Sequence, residues 1–111
     1  MQNVATVYEF DPAEGIEWKE LPLMPTARSG SQAAVLKGKI FVFGGEKLGG
    51  VFTQSEMFDP ETQRWSTLTP MPVGRHGTNA ATVGDSIYVP AGGPLNDGAA
   101  QTNANQAFTY P

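Results

Sequence analysis

The chain has 111 residues, including 13 Gly, 9 Pro and no Cys, and a formal net charge of -4. That length suits one ordinary domain, and the lack of cysteine excludes disulfides, thiolate metal sites and a cysteine nucleophile. The acidic balance, with no Lys or Arg after Arg75, argues against nucleic acid or a membrane surface as the main partner.

Many glycines and prolines leave little room for long helices and favour short strands joined by turns. In chain order, the first predicted strand is Ala5–Phe10, closed by Asp11-Pro12, a pair suited to the first two positions of a turn. The next carries Trp18. A small-residue strand follows at Ser31–Leu36, then the tight turn Lys37-Gly38-Lys39 and the apolar strand Ile40–Phe43. A continuous apolar run of that kind predicts burial on both faces. A Gly-rich connection leads to Gln54–Phe58 and Asp59-Pro60, and then to a strand carrying Trp65. The pattern restarts at Thr78–Val83, turns at Gly84-Asp85-Ser86 and continues with Ile87–Val89. Pro90 removes a ladder donor, so that strand is expected to end early or bulge. The chain closes with the echo Phe108-Thr109-Tyr110-Pro111, and no stretch has helical periodicity.

These elements form an internal repeat. Phe10-Asp11-Pro12 recurs as Phe58-Asp59-Pro60, 48 residues later, and Trp18 recurs as Trp65, 47 later. Met24-Pro25 recurs as Met71-Pro72, Arg28-Ser29-Gly30 as Arg75-His76-Gly77, Ala33-Ala34 as Ala80-Ala81, and Gly44-Gly45 as Gly92-Gly93. Each period reads as four short strands, a to d, with a the small-residue strand and d the tryptophan strand. Alanines suit crowded inner strands. Trp18 and Trp65 suit outer strands with room for a large wedge, and Trp65 is expected to be buried between sheets.

With these marks the sequence resembles kelch repeats of a β-propeller. The resemblance implies an all-β fold of four-stranded antiparallel blades, about two per chain. Residues 1–27 are then the outer strands of a first blade, 28–74 a complete repeat and 75–111 most of a further one. Two blades cannot close a ring, and an isolated pair leaves apolar sheet faces in water. The expectation is completion by oligomerisation, three copies giving six blades with one surplus strand each, or by blades of a longer propeller. The absence of cysteine and of a leader pattern after Met1 favours a cytoplasmic location.

In an antiparallel meander the d-to-a and b-to-c connections share one end. That end gathers the candidate ligand-binding residues Arg28, Ser29, Glu46, Arg75, His76 and Asp97, together with Phe52, which suits either an aromatic anchor for a partner or core packing. Paired arginines suit fork-like contacts with carboxylates, but they also suit structural bonds within the blade. A lone histidine without cysteine gives no metal site, no nucleophile elbow surrounds any serine, and no phosphate loop ends in Gly-Lys-Ser/Thr. No catalytic residue, metal or cofactor is therefore expected. The kelch resemblance implies a non-catalytic module binding a protein or peptide through this face. The alternatives are a sugar-binding or mutarotase-like site, which needs an acid/base carboxylate beside an arginine, and an isolated or artificial two-blade structural unit.

Overall fold

The computed structural model describes residues 2–96 and 100–111; Asp97 lies outside the described residues. Eleven strands make up the described chain. They are β1 (Val7–Phe10), β2 (Trp18–Leu21), β3 (Gln32–Leu36), β4 (Lys39–Phe43), β5 (Glu46–Lys47), β6 (Gly50–Val51), β7 (Ser55–Asp59), β8 (Arg64–Leu68), β9 (Ala81–Val83), β10 (Ser86–Pro90) and β11 (Asn105–Thr109).

Three sheets repeat one plan. The central sheet has four antiparallel strands in the order β3-β4-β7-β8, which is the a-b-c-d meander of one blade. Before it stands a c–d pair, β1-β2, and after it an a–b–c sheet in the order β11-β10-β9. The short hairpin β5-β6 rises from the b-to-c connection of the central blade. Tight turns follow from local chemistry. Lys37 and Gly38 take positive φ between β3 and β4. The Asp11 and Asp59 carboxylates accept the amides of Ala13 and Glu61, each two residues on.

The core lies between the second and third blades. Phe41, Phe43 and Ile87 are fully or almost fully buried, with Leu36, Met57, Met71 and Val89 around them. The Phe108 ring stands 5.7 Å from both Phe41 and Phe43, so strand c of the last blade packs on strand b of the blade before it.

Two expectations about strand b of the last blade are corrected. Burial on both faces holds for β4, where Val42 is 7% exposed. It fails for β10, where Tyr88 is 38% exposed because no described sheet covers that face. Pro90 does not end its strand. It stays in register opposite Asn105, and the pairing with β9 stops instead at Tyr88.

The tryptophans also differ from expectation. Trp65 is half-buried rather than enclosed, because the outermost strand keeps one side in water. Its ring lies 5.2 Å from buried Phe58, and its indole N–H donates to the Pro22 carbonyl at 3.0 Å. Trp18 rests on Phe10 at the same ring distance but remains 66% exposed. Trp65→Ala should therefore cost about 2 kcal/mol or more, and Trp18→Ala under about 1 kcal/mol. Paired urea denaturation curves check the ranking.

Candidate functional site

The loop-bearing end of the blades is organised by the two arginines. Arg28 and Arg75 stand at equivalent positions just before strand a and are 2% and 0% exposed. The Arg28 guanidinium donates to the carbonyls of Gly44 (2.8 Å) and Gln54 (3.0 Å), the two ends of its own b-to-c connection. It also donates to buried Glu56 on β7. Arg75 repeats the arrangement: it donates to the carbonyls of Val89 (2.7 Å), Ala91 (3.2 Å) and Ala104 (3.1 Å), and to the Gln106 side chain on β11. Each guanidinium thus clamps the base of one loop and the neighbouring strand c. A fork of five donors suits this task, because carbonyls converging from two chain directions need several hydrogens in one plane.

The clamps differ in charge. Arg28 faces a carboxylate, whereas Arg75 faces a neutral amide and backbone carbonyls. Burial pushes the Arg75 guanidinium below its ordinary pKa. Of the two roles open to these arginines, ligand contact or structural bonds within the blade, the hydrogen bonds seen are of the second kind. Their donors are spent inside the blades, because loop carbonyls would otherwise be buried without partners.

The glycine doublet serves the same base. The Gly45 amide donates to the Arg75 carbonyl at 2.9 Å, tying the second blade to the third. A Cβ at Gly44 would lie 2.4 Å from that same carbonyl, and one at Gly45 would lie 2.7 Å from the Ser29 carbonyl. Both glycines also have positive φ, 62° and 110°.

Above this base stands a polar cluster. Ser29, Glu46 and His76 are brought together, each half-buried. The His76 Nε2 lies 3.5 Å from Glu46 Oε2. The Ser29 hydroxyl bonds the Asn3 side chain at 2.9 Å, and the Asn3 amide donates to the Glu46 carbonyl at 3.1 Å. The backbone links the same residues, since Glu46 N donates to Ser29 O and Gly77 N to Gly30 O. His76 packs against Gly93, where a Cβ would come within 2.9 Å of the imidazole. Phe52 is half-buried beneath Lys47, whose Nζ stands 5.0 Å from the ring centre. Among the described residues no group of three or more His, Asp or Glu converges as metal ligands.

Asn3, Glu56 and Gln106 escaped the sequence reading. For the last two a signal existed: each stands two residues before the strand c aromatic, Phe58 or Phe108. The carboxylate beside an arginine that a sugar-active site needs exists as Glu56 with Arg28, but this pair is sealed inside the blade, Glu56 being 1% exposed.

Residues 27–72 match the kelch motif, the stretch that folds as the complete four-stranded blade. This stretch is a kelch repeat. Among solved structures, YjhT, a kelch β-propeller protein, is similar with a TM-score of 0.73 and 27% sequence identity. The likeness covers 83% of this chain and 29% of YjhT, so the chain spans about three tenths of that protein's length. No curated protein matches the chain. The three sheets accordingly have the arrangement of propeller blades, and the arginine clamps lie at the base of their loops.

Removing either clamp should lower stability, unequally. Arg28→Ala strands a buried carboxylate and should cost about 3–5 kcal/mol. Arg75→Ala leaves neutral acceptors and should cost about 2–3 kcal/mol. Gln106→Glu, which copies the charged pair into the last blade, should raise stability above that of the parent chain. Urea midpoints at neutral pH read all three.

Proposed function

We propose that this chain is part of a non-catalytic kelch-type interaction module that binds a protein or peptide through the face carrying the d-to-a and b-to-c loops. The observation that carries this reading is a pair of exposed leucines on that face. Leu48 at the tip of the β5-β6 hairpin is 89% exposed, and Leu95 in the equivalent connection of the next blade is 51% exposed. Apolar side chains held out on clamped loops gain free energy by entering a partner's pocket. A small polar sugar offers them nothing comparable. The cluster of Ser29, Glu46 and His76 between these loops supplies hydrogen-bonding groups for orientation, in keeping with interfaces that combine apolar anchors with polar surroundings.

Further blades complete the module, since Tyr8 and Trp18 of the first sheet are 56% and 66% exposed. Copies of the chain or adjoining repeats would cover them. Light scattering separates the two: a mass above one chain supports copies, and a one-chain mass assigns the role to adjoining repeats.

Binding is tested by displaying a peptide library against the full chain, with a panel of sugars measured in parallel by thermal shift. Selected peptides should lose at least about tenfold in affinity on Leu48→Ala or Leu95→Ala while the melting temperature stays unchanged. Stabilisation by a sugar, with peptide binding absent or insensitive to both leucines, would overturn the reading.

A further inference from the structure

The imidazole of His76 joins the roots of the two leucine-bearing loops. Its main chain belongs to the last blade: His76 N donates to the Gly93 carbonyl and Gly93 N to the His76 carbonyl, both at 3.0 Å. Its side chain reaches across to the central blade, where Nε2 stands 3.5 Å from Glu46 Oε2 on β5. Glu46 precedes Leu48 by two residues, and Gly93 precedes Leu95 by two. One side-chain contact therefore spans the gap between the β5-β6 hairpin and the longer connection, close to where each begins.

The ring is flanked by acceptors. The carboxylate faces Nε2 at a distance longer than a formed N–H···O bond. Nδ1 is buried, with no hydrogen-bond partner among the described residues. It lies against Gly93, as does the Ala100 carbonyl: a Cβ on that glycine would stand 3.3 Å from Nδ1 and 3.1 Å from the carbonyl oxygen. Neither neutral tautomer suits these surroundings. With the proton on Nδ1, the Nε2 lone pair confronts a carboxylate. With the proton on Nε2, the Nδ1 lone pair is buried without a donor. The imidazolium has a donor for each side. The other charges nearby are engaged elsewhere. The Arg75 guanidinium is turned into its blade, and Lys47 Nζ stands over the Phe52 ring. Ser29 and Asn3 are neutral and bonded to each other. The described residues of the 93–102 connection carry no charge.

We propose that His76 and Glu46 form a proton-operated latch between the two loops. A proton taken up from solvent lets His76 donate through Nε2 to Glu46 and through Nδ1 to the Ala100 carbonyl. The hairpin and the 93–102 connection are then drawn together, and the spacing of Leu48 and Leu95 is fixed. Loss of that proton releases the spacing. Histidine is the side chain that ordinarily changes charge between pH 5 and 8, and this chain has one. As regulation of partner binding, the latch rests on the reading of this face as a binding face. As a conformational device it does not.

The chain has no cysteine, so Leu48→Cys with Leu95→Cys places spin labels on the two loops alone. Distances between the labels are measured by pulsed electron resonance at pH 5.5 and 7.5, in the full chain with and without Glu46→Gln or His76→Gln. The expected result is a shorter and narrower distribution at pH 5.5, with the difference lost in both variants. Melting curves confirm folding, and either folded variant is sufficient for the comparison. An identical distribution at both pH values, or a change that survives Glu46→Gln or His76→Gln, would overturn the latch. Histidine-free peptides selected on the loop face at pH 7.5 should change affinity at least about threefold at pH 5.5, and only with His76 and Glu46 intact. Affinity independent of pH would overturn the regulatory role. A chain that shows the distance change yet binds no peptide keeps the latch and overturns the binding-face reading instead.

Discussion

Everything at the loop-bearing end of this protein depends on burying a guanidinium under each connection between strands b and c. Such a connection leaves its sheet and returns to it, so the carbonyls at its two ends converge with no strand to receive them. Buried carbonyls without donors cost free energy of the same order as a lost hydrogen bond. Arg28 and Arg75 meet that demand from the preceding connection, and in doing so they hold strand a, the loop base and strand c together. The side chain is costly to bury, and the protein offsets that cost differently in its two copies. Glu56 neutralises one charge, while carbonyl dipoles and Gln106 solvate the other.

The clamp also accounts for the glycines. With Gly44 presenting its carbonyl to Arg28 and Gly45 presenting its amide to the Arg75 carbonyl, the doublet is crowded on both sides. A side chain at either place would collide with backbone rather than with a movable neighbour. The distance between the second and third blades is thereby set by main-chain contact, and the large core side chains Phe41, Phe43 and Phe108 fill the space that remains.

Strand positions are legible because the repeat presents each element twice, with the same bounding turns and marker residues in both copies. Arginine placement was legible for the same reason. Its role was not, since most partners of Arg28 and Arg75 are backbone carbonyls, which leave no trace in residue identity. The side-chain partners were obscured by loop length. Glu56 follows Arg28 by 28 residues and Gln106 follows Arg75 by 31, so a fixed period does not align them. Exposure of Tyr88 was illegible for another reason. It depends on whether a further sheet lies against β10, and no pattern within a strand records its neighbours. Asn3 illustrates the same limit at short range, because it joins Ser29 and Glu46 through contacts 26 and 43 residues apart.

The contact of Gly45 with the Arg75 carbonyl has an evolutionary consequence. Blades here are joined at their loop-bearing end by groups that every residue type carries, so the joint does not record which side chains decorate the loops around it. Repeats can be duplicated, lost or exchanged between genes, and the new neighbour will dock provided that it brings an arginine before strand a and two glycines after strand b. The hairpin of one blade and the longer connection of the next differ in length and composition above equivalent arginine clamps. Diversification of recognition can therefore proceed blade by blade, without renegotiating the assembly.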